Sequence, residues 1–246
     1  MAKTKQSRPD GRRADALRPT KITLDFVRSA SGSCLIEMGK TRVICTACIE
    51  EGVPPWRAGM AEGWVTAEYG MLPASTGERK RRPAFKPDSR GVEIQRLIGR
   101  AIRSVVRFDR LGEHTITLDC DVLEADGGTR TAAITGAYVA LAQAVQTGQA
   151  EGRFGRGVLS GSVAAVSVGL VGGTPLLDLC YAEDSIAEVD MNIAMTSGGK
   201  FVEVQGTSEG EPFNEEQLQS MLKLAGRGIR QLVRLQRNVL TQGAES

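Results

Sequence analysis

The sequence predicts an α+β fold packed as one compact domain, in which strands and then a helix recur in each half of the chain. Both halves pass from strand-like patterning to apolar residues at helical spacing. No low-complexity linker separates them, and 246 residues with 41% hydrophobic side chains can bury a substantial core. We therefore expect a single domain over residues 19–240 with an internal pseudo-repeat, a loosely organised basic arm over residues 1–18, and a tail over residues 241–246.

The first half begins with strands. Residues 21–49 predict three short strands joined by glycine-containing turns, and a further strand is expected near residues 64–69. Apolar residues at helical spacing then predict an amphipathic helix over residues 91–108. Its opposite face carries four arginines: Arg96, Arg100, Arg103 and Arg107. Such a stripe is typical of a helix face that is solvated or that forms an interface. The alternative is that the four arginines bind successive phosphates of RNA.

A strand that leads into a helix closes this half. Residues 114–126 alternate with a two-residue period, which predicts a strand. The strand ends at Gly127-Gly128, and an apolar helix stripe continues to about residue 146.

The second half begins with two hairpins. The first spans residues 162–181 about Gly172-Gly173, and the second pairs residues 187–196 with residues 201–205. Alternation in the second hairpin leaves Asp190 on the polar face of its first strand. Asn214 is the expected N-cap of a final helix that continues to about residue 240.

Several function classes are disfavoured by composition. No apolar run approaches the roughly 20 residues that span a bilayer, and no hydrophobic stretch follows Met1, so we expect a cytoplasmic protein without a membrane partner. His114 is the one histidine, so a Ser-His-Asp or Cys-His mechanism would rest on it alone. The five cysteines lie mainly in apolar surroundings, and we expect them to be reduced and structural.

Charge is distributed unevenly although the net charge is only +2. Residues 79–107 hold ten basic side chains against two acidic ones, and residues 1–18 hold six against two. Acidic residues gather instead over residues 183–190. This pattern is typical of a polyanion-binding surface beside a metal-binding carboxylate cluster. Ordinary solvated helix faces could also account for part of it.

Two local patterns carry candidate chemistry. Gly127-Gly128-Thr129-Arg130 lies where a strand passes into a helix, so free N–H groups, a hydroxyl and a guanidinium can bind an oxyanion there. The alternative is a glycine turn with a surface arginine. Asp184 and Asp190 lie six residues apart and could converge on a divalent ion, because Mg²⁺ prefers one or two carboxylates with water and substrate oxygens. Solvated surface carboxylates are the alternative.

Five ordered segments together closely resemble the ribonuclease PH family. They are Arg8-Pro9-Asp10-Gly11-Arg12, Glu93-Ile94-Gln95-Arg96-Leu97-Ile98-Gly99-Arg100, Gly127-Gly128-Thr129-Arg130-Thr131, Glu183-Asp184-Ser185 with Val189-Asp190-Met191-Asn192, and Phe201-Val202-Glu203-Val204-Gln205-Gly206-Thr207. The resemblance implies two βαβα-like halves of the kind seen in ribosomal protein S5 domain 2. It also implies a homohexameric ring built as a trimer of dimers.

The same resemblance implies an activity and a set of roles. The chain would be a phosphorolytic 3′-to-5′ exoribonuclease that trims precursor tRNA trailers and other structured RNA 3′ ends with inorganic phosphate, releases nucleoside diphosphates, and can run in reverse. Gly128, Thr129 and Arg130 would hold the phosphate with help from Arg90. Asp184 and Asp190 would hold Mg²⁺ or Mn²⁺ or assist protonation of the departing 3′ oxygen.

The loop over residues 77–89 departs from the family pattern that precedes Arg90. Its basic cluster of Arg79, Lys80, Arg81 and Arg82 is our hypothesis for the contact with the tRNA body, and Arg96 and Arg100 are further candidates for RNA binding. Two alternative functions stay open. One is a non-catalytic RNA-binding subunit of an exosome-like ring, and the other is a hydrolytic exonuclease with two metals, which would need about four clustered carboxylates.

Overall fold

The computed structural model describes residues 8–80 and 89–243 as two sheets and five helices. The strands are β1 (Thr20–Leu24), β2 (Gly32–Met38), β3 (Thr41–Glu51), β4 (Trp64–Met71), β5 (His114–Glu124), β6 (Val163–Val171), β7 (Thr174–Leu177), β8 (Val189–Thr196) and β9 (Phe201–Ser208). The helices are α1 (Ser89–Arg103), α2 (Phe108–Leu111), α3 (Thr129–Ala150), α4 (Tyr181–Asp184) and α5 (Glu215–Gly243). A single 3₁₀ turn, Pro55–Arg57, precedes β4. The predicted α+β class is confirmed.

The first sheet has the order β1-β2-β3-β5-β4. Its pairs are antiparallel except β4 and β5, which run parallel. Parallel neighbours need a crossover connection, and the segment with α1 and α2 supplies it. The second sheet has the order β7-β6-β8-β9 and is antiparallel throughout. The β6–β7 turn has positive φ at both Gly172 and Gly173, which suits a two-residue hairpin.

Helix α3 lies between the two sheets and joins their cores. Sixteen of its 22 residues are buried, on nearly all sides of the helix, and it packs on β2 and β3 as well as on β6. A side chain at Gly136 would come within 2.7 Å of the Cys45 sulfur, so the small residue permits the close approach. One apolar core therefore runs through both halves of the chain.

Most predicted elements are present, with three differences. The helix expected over residues 91–108 ends at Arg103, because Val106 instead forms a β-bridge with Leu159 and the chain turns inward. The helix after Gly128 continues to Ala150 rather than 146. The short helices α2 and α4 were not predicted. Asn214 caps α5 as expected, since its side chain accepts a hydrogen bond from the Gln217 N–H at 3.0 Å.

The expectation of a loosely organised arm is wrong for residues 8–18. Arg8 and Arg18 are buried and form ion pairs with Glu183 and Asp178 respectively. Arg8 and Arg18 therefore neutralise internal carboxylates and are not part of the polyanion-binding surface that the charge pattern suggested, whereas Arg13 is exposed and pairs with Asp15. Within the described residues, no helix is long and apolar enough to cross a membrane.

Candidate active site

The turn between β5 and α3 has the geometry of an anion-binding turn. Gly127 and Gly128 have φ of 75° and 65°, a left-handed conformation that favours glycine. A side chain at Gly127 would lie within 2.7–2.9 Å of the backbone at residues 179–181. The turn is thus packed directly against the segment that carries α4, and it leads into the N-terminus of a 22-residue helix. The positive end of that helix favours a negatively charged ligand.

Thr129 and Arg130 occupy the first turn of α3, and both are held by other elements. The Tyr69 hydroxyl at the end of β4 donates a hydrogen bond to the Thr129 hydroxyl at 3.0 Å. The Arg130 guanidinium donates to the Gln205 side-chain oxygen at 2.9 Å. Gln205 in turn donates to Glu93 at 2.8 Å, and Glu93 lies 3.7 Å from the Arg130 guanidinium. Contacts from β9 and α1 therefore fix the orientation of the Arg130 side chain.

Asp184 and Asp190 are brought in from the second half. Asp184 is the last residue of α4, and Asp190 lies in β8. Burial raises the pKa of the Asp184 carboxyl, although the nearby charges of Arg130, Arg90 and Arg18 act in the opposite direction. Burial, reinforced by the negative charge of Asp184, raises the pKa of Asp190 to about 6. The two carboxylates are thus close enough to influence each other.

These electrostatic contacts connect the residues that the sequence singled out. Arg130 acts on the pKa of both aspartates, and Arg90, at the second position of α1, acts on that of Asp184. Cationic side chains from α1 and α3 and carboxylates from α4 and β8 therefore share one region. The arrangement can bind an anion beside a cation or a proton.

The donor set suits one divalent cation held by few protein ligands. Asp190 Oδ1 is buried, and it has no hydrogen-bond partner among the residues that the structure describes. Over those same residues, no group of three or more His, Cys, Asp or Glu side chains could hold a metal. Two aspartates with oxygens from substrate and water match the coordination that Mg²⁺ favours.

Glu183, which we counted in the acidic cluster, has another role. Its carboxylate accepts hydrogen bonds from Arg8 at 2.6 and 2.8 Å and from the Cys180 N–H at 3.0 Å. Burial alone would raise the pKa of Glu183, but the contacts with Arg8 hold it below its usual value. Glu183 anchors the N-terminal segment and is not available as a metal ligand.

The predicted RNA-binding residues lie in two places. Arg79 and Lys80 are exposed after β4, whereas Arg81 and Arg82 lie outside the described residues. Arg96 and Arg100 line a groove of about 320 Å³ that also includes Glu93 and Gln205, so it opens beside the partners of Arg130. Arg100 forms an ion pair with Glu203 at 3.1 Å across this groove.

Sequence patterns did not single out four residues of this region for a role. Tyr69, Gln205, Arg18 and Asp178 act through contacts between residues 60 or more positions apart. Tyr69 and Gln205 each lie in a predicted strand. Alternation along a strand predicts which face of the sheet a side chain is on, but it does not predict the residue to which that side chain is hydrogen-bonded. The left-handed φ of Asp178, 56°, is a feature of the fold with no sequence signature.

Comparison with known proteins covers most of the chain. The model of the 3′ exoribonuclease family, domain 1, matches residues 16–146, and that of the 3′ exoribonuclease family, domain 2, matches residues 161–228.

Solved structures share the fold. The crystal structure of rice (Oryza sativa) Rrp46 aligns with a TM-score of 0.77 at 17% identity, covering 95% of this chain and all of that one. The Archaeoglobus fulgidus exosome with RNA bound to the active site aligns with a TM-score of 0.77 at 21% identity, over 92% and 91% of the two chains. An archaeal exosome core aligns with a TM-score of 0.74 at 20% identity, covering 94% of this chain and 91% of that one. At these identities the likeness concerns the fold, and it is consistent with the predicted S5 domain 2-like class.

Proposed function

This chain belongs to the 3′ exoribonuclease family that includes ribonuclease PH, and on that premise we propose that it is a phosphate-dependent 3′-to-5′ exoribonuclease. Inorganic phosphate is the co-substrate, nucleoside diphosphates are the products, and the reaction can run in reverse to extend RNA. The observation that carries the proposal is the packing of the Gly127 turn against the backbone of residues 179–181, which leads directly into α4 and Asp184. This packing joins a site for an anion to a carboxylate on which the charges of Arg130 and Arg90 act.

The phosphate would be bound at the N-terminus of α3. Backbone N–H groups beside Gly128, the Thr129 hydroxyl and the guanidinium groups of Arg130 and Arg90 supply donors and positive charge. One phosphate oxygen would form a bond to the phosphorus of the terminal 3′,5′ linkage, and the bond from that phosphorus to the 3′ oxygen of the shortened RNA would break. Because two anions must meet, catalysis would come mainly from positioning and charge neutralisation.

The leaving 3′ oxygen needs a proton or a neighbouring positive charge. A carboxyl with a pKa of about 6, such as Asp190, is partly protonated near neutrality and can donate. The alternative is that Asp184 and Asp190 hold Mg²⁺ or Mn²⁺, in which case both would be ionised and neither would supply the proton. A bound ion of this kind would neutralise charge on the phosphoryl oxygens.

We propose precursor tRNA and other structured RNA 3′ ends in the cytoplasm as substrates, and a homohexamer as the assembly. The groove lined by Arg96 and Arg100 reaches the Glu93 and Gln205 partners of Arg130, so it could guide the RNA 3′ end to the phosphate site. The basic cluster of residues 79–82 would contact the tRNA body.

A non-catalytic RNA-binding ring subunit is the second candidate function. The likeness in fold to chains of two exosome structures favours it, because an exosome ring subunit could keep this fold without the chemistry. The two candidates differ in one respect: only the enzyme consumes phosphate.

The test is to incubate the full chain and Mg²⁺ with a 3′-labelled tRNA precursor, with and without inorganic phosphate, and to identify the released nucleotides. We expect nucleoside diphosphates only when phosphate is present, and a loss of at least about a hundredfold in rate in Arg130→Ala, because it removes a charge from the transition state. Arg110→Ala removes an exposed arginine that pairs with Asp109, and it serves as the control with unchanged rate.

Other outcomes would contradict the proposal. Nucleoside monophosphates released without phosphate would identify a hydrolase. RNA binding with no release under either condition would identify the ring subunit.

A further inference from the structure

Arg18 lies directly beneath the anion-binding turn. Its guanidinium donates to the Asp126 carbonyl at 2.6 Å and, over 3.4 Å, to the Gly127 carbonyl. A side chain at Gly128 would lie 2.9 Å from Arg18 Nη2, so the guanidinium is in contact with the turn itself. The Thr41 hydroxyl also donates to the Gly127 carbonyl at 2.7 Å and accepts from the Asp126 N–H at 2.9 Å.

These contacts fix the direction of the peptide groups. In a planar trans peptide, the carbonyl of one residue points opposite to the N–H of the next residue. Because Arg18 draws the carbonyls of Asp126 and Gly127 toward itself, the N–H groups of Gly127 and Gly128 point away from it. Two further donors are thus oriented on the side of the turn opposite Arg18.

Asp178 holds Arg18 in place. Its carboxylate accepts hydrogen bonds from the Arg18 side chain at 2.7 and 3.1 Å and from the Arg18 backbone N–H at 2.7 Å. Burial alone would lower the pKa of Arg18, but Asp178 raises it above its ordinary value. Asp178 is fully buried, and its own N–H donates to the Ser167 carbonyl in β6 at 2.7 Å. The pair therefore ties the turn in the first half to the sheet of the second half.

We propose that Arg18 is a positioning residue, which together with Asp178 sets the anion-binding turn in the orientation that presents the Gly127 and Gly128 N–H groups to inorganic phosphate. This inference rests on the proposed function for the identity of the anion. Arg18 does not touch the phosphate. It acts through the two carbonyls that it bonds, and its contribution belongs to phosphate affinity rather than to RNA binding.

The experiment measures phosphate binding to the full chain by calorimetric titration, alongside the KM for phosphate and for a short RNA. In Arg18→Lys a positive charge remains to pair with Asp178, but the ammonium donors all lie on one nitrogen. They cannot extend from the carboxylate to both carbonyls as the three nitrogens of the planar guanidinium do. We expect phosphate affinity to fall by about tenfold, the loss of roughly one hydrogen bond's net free energy. The KM for RNA should stay unchanged.

Two comparisons separate positioning from general destabilisation. Arg57→Lys changes another buried, ion-paired arginine. Arg57 lies in the segment that precedes β4, and its guanidinium packs against Trp64 and Phe108. It should lower the melting temperature and leave phosphate affinity unchanged. Thr41→Val removes the second contact with the turn, and should weaken phosphate binding, whereas Thr41→Ser should retain it. The Thr41 pair tests the same turn if Arg18→Lys does not fold.

The outcomes separate the inference from the proposed function. The inference would be overturned by equal phosphate affinity in wild type and Arg18→Lys, or by equal losses of phosphate affinity in Arg18→Lys and Arg57→Lys. In either case, release of diphosphates by the wild type would still support the proposed enzyme. If phosphate affinity changes as expected but no diphosphate is released, the positioning role of Arg18 would be supported and the proposed enzymatic activity would be contradicted. A wild-type chain that binds no phosphate would reject both.

Discussion

Asp190 is more readily protonated in the folded chain than in an unfolded one, because its pKa rises from 3.8 to about 6. A group whose folded pKa is raised contributes stability that is present below the unfolded pKa and is lost as the pH rises through the folded pKa. Each pKa unit corresponds to about 1.4 kcal/mol. The ionised Asp190 side chain therefore lowers stability by up to about 3 kcal/mol at pH 8 in the absence of a cation.

Asp190→Asn should consequently be more stable than wild type at pH 8 and inactive. We expect its free energy of unfolding to be about 1–3 kcal/mol higher in EDTA, with the difference shrinking as the pH falls from 8 through 6 to 4. Urea denaturation at these three pH values measures it. Asp109→Asn, at an exposed position, is the matched control and should show no such trend. Equal stabilities of Asp190→Asn and wild type at every pH would contradict the assigned environment.

At the scale of residues, sequence patterns identified side chains better than their partners. The position of Thr129 and Arg130 at a helix N-terminus could be predicted, because a glycine turn before a helix is a local feature. The pair Arg18 and Asp178 could not, since the two residues are 160 positions apart and only the fold brings them together. Glu183 shows the same limit, because the pattern could not distinguish a carboxylate paired with Arg8 from one open to a cation.

At the scale of elements, local patterning predicted the strands and most helices. Strand alternation and glycine turns located both hairpins, and helical apolar spacing located α5. The end of α1 was wrong by five residues because Val105 and Val106 are apolar at helical spacing, yet their burial comes from a bridge to residue 159. Tertiary contacts overrode the local pattern there.

The basic segment after β4 yields a prediction about RNA binding. Replacing Arg79, Lys80, Arg81 and Arg82 together by alanine should weaken binding of a tRNA precursor and reduce the slope of log affinity against log salt by up to about 3, since each lost phosphate contact contributes roughly 0.7–0.9. Cleavage of very short oligonucleotides should be spared. Filter binding at several salt concentrations measures both quantities.

A matched control removes the same charge from another surface. Lys223, Arg227, Arg230 and Arg234 are exposed on α5, and their replacement by alanine should leave the salt slope unchanged. Equal losses on long and short RNA in the loop variant would contradict a contact with the tRNA body.

At the scale of the whole molecule, the single chain exposes several large apolar side chains. They include Trp56, Met60, Tyr181, Ile186 and Phe201, each more than half exposed. Burial of such groups between subunits favours association. We expect light scattering after size exclusion to give a mass about six times the 26.3 kDa of one chain. A mass of one chain at micromolar concentration would contradict the proposed hexamer.

The large sequence separation between the N-terminal arginines and their carboxylate partners affects folding during translation. Arg8 and Arg18 pair with residues 175 and 160 positions later, so the ribosome makes them well before their partners. At about 5–20 residues per second the partners follow by roughly 10–30 s. The turn at residues 126–128 also emerges before Asp178 exists to hold Arg18 beneath it. Under the proposed function, a nascent chain stays harmless to the RNA around it until its second half has been translated.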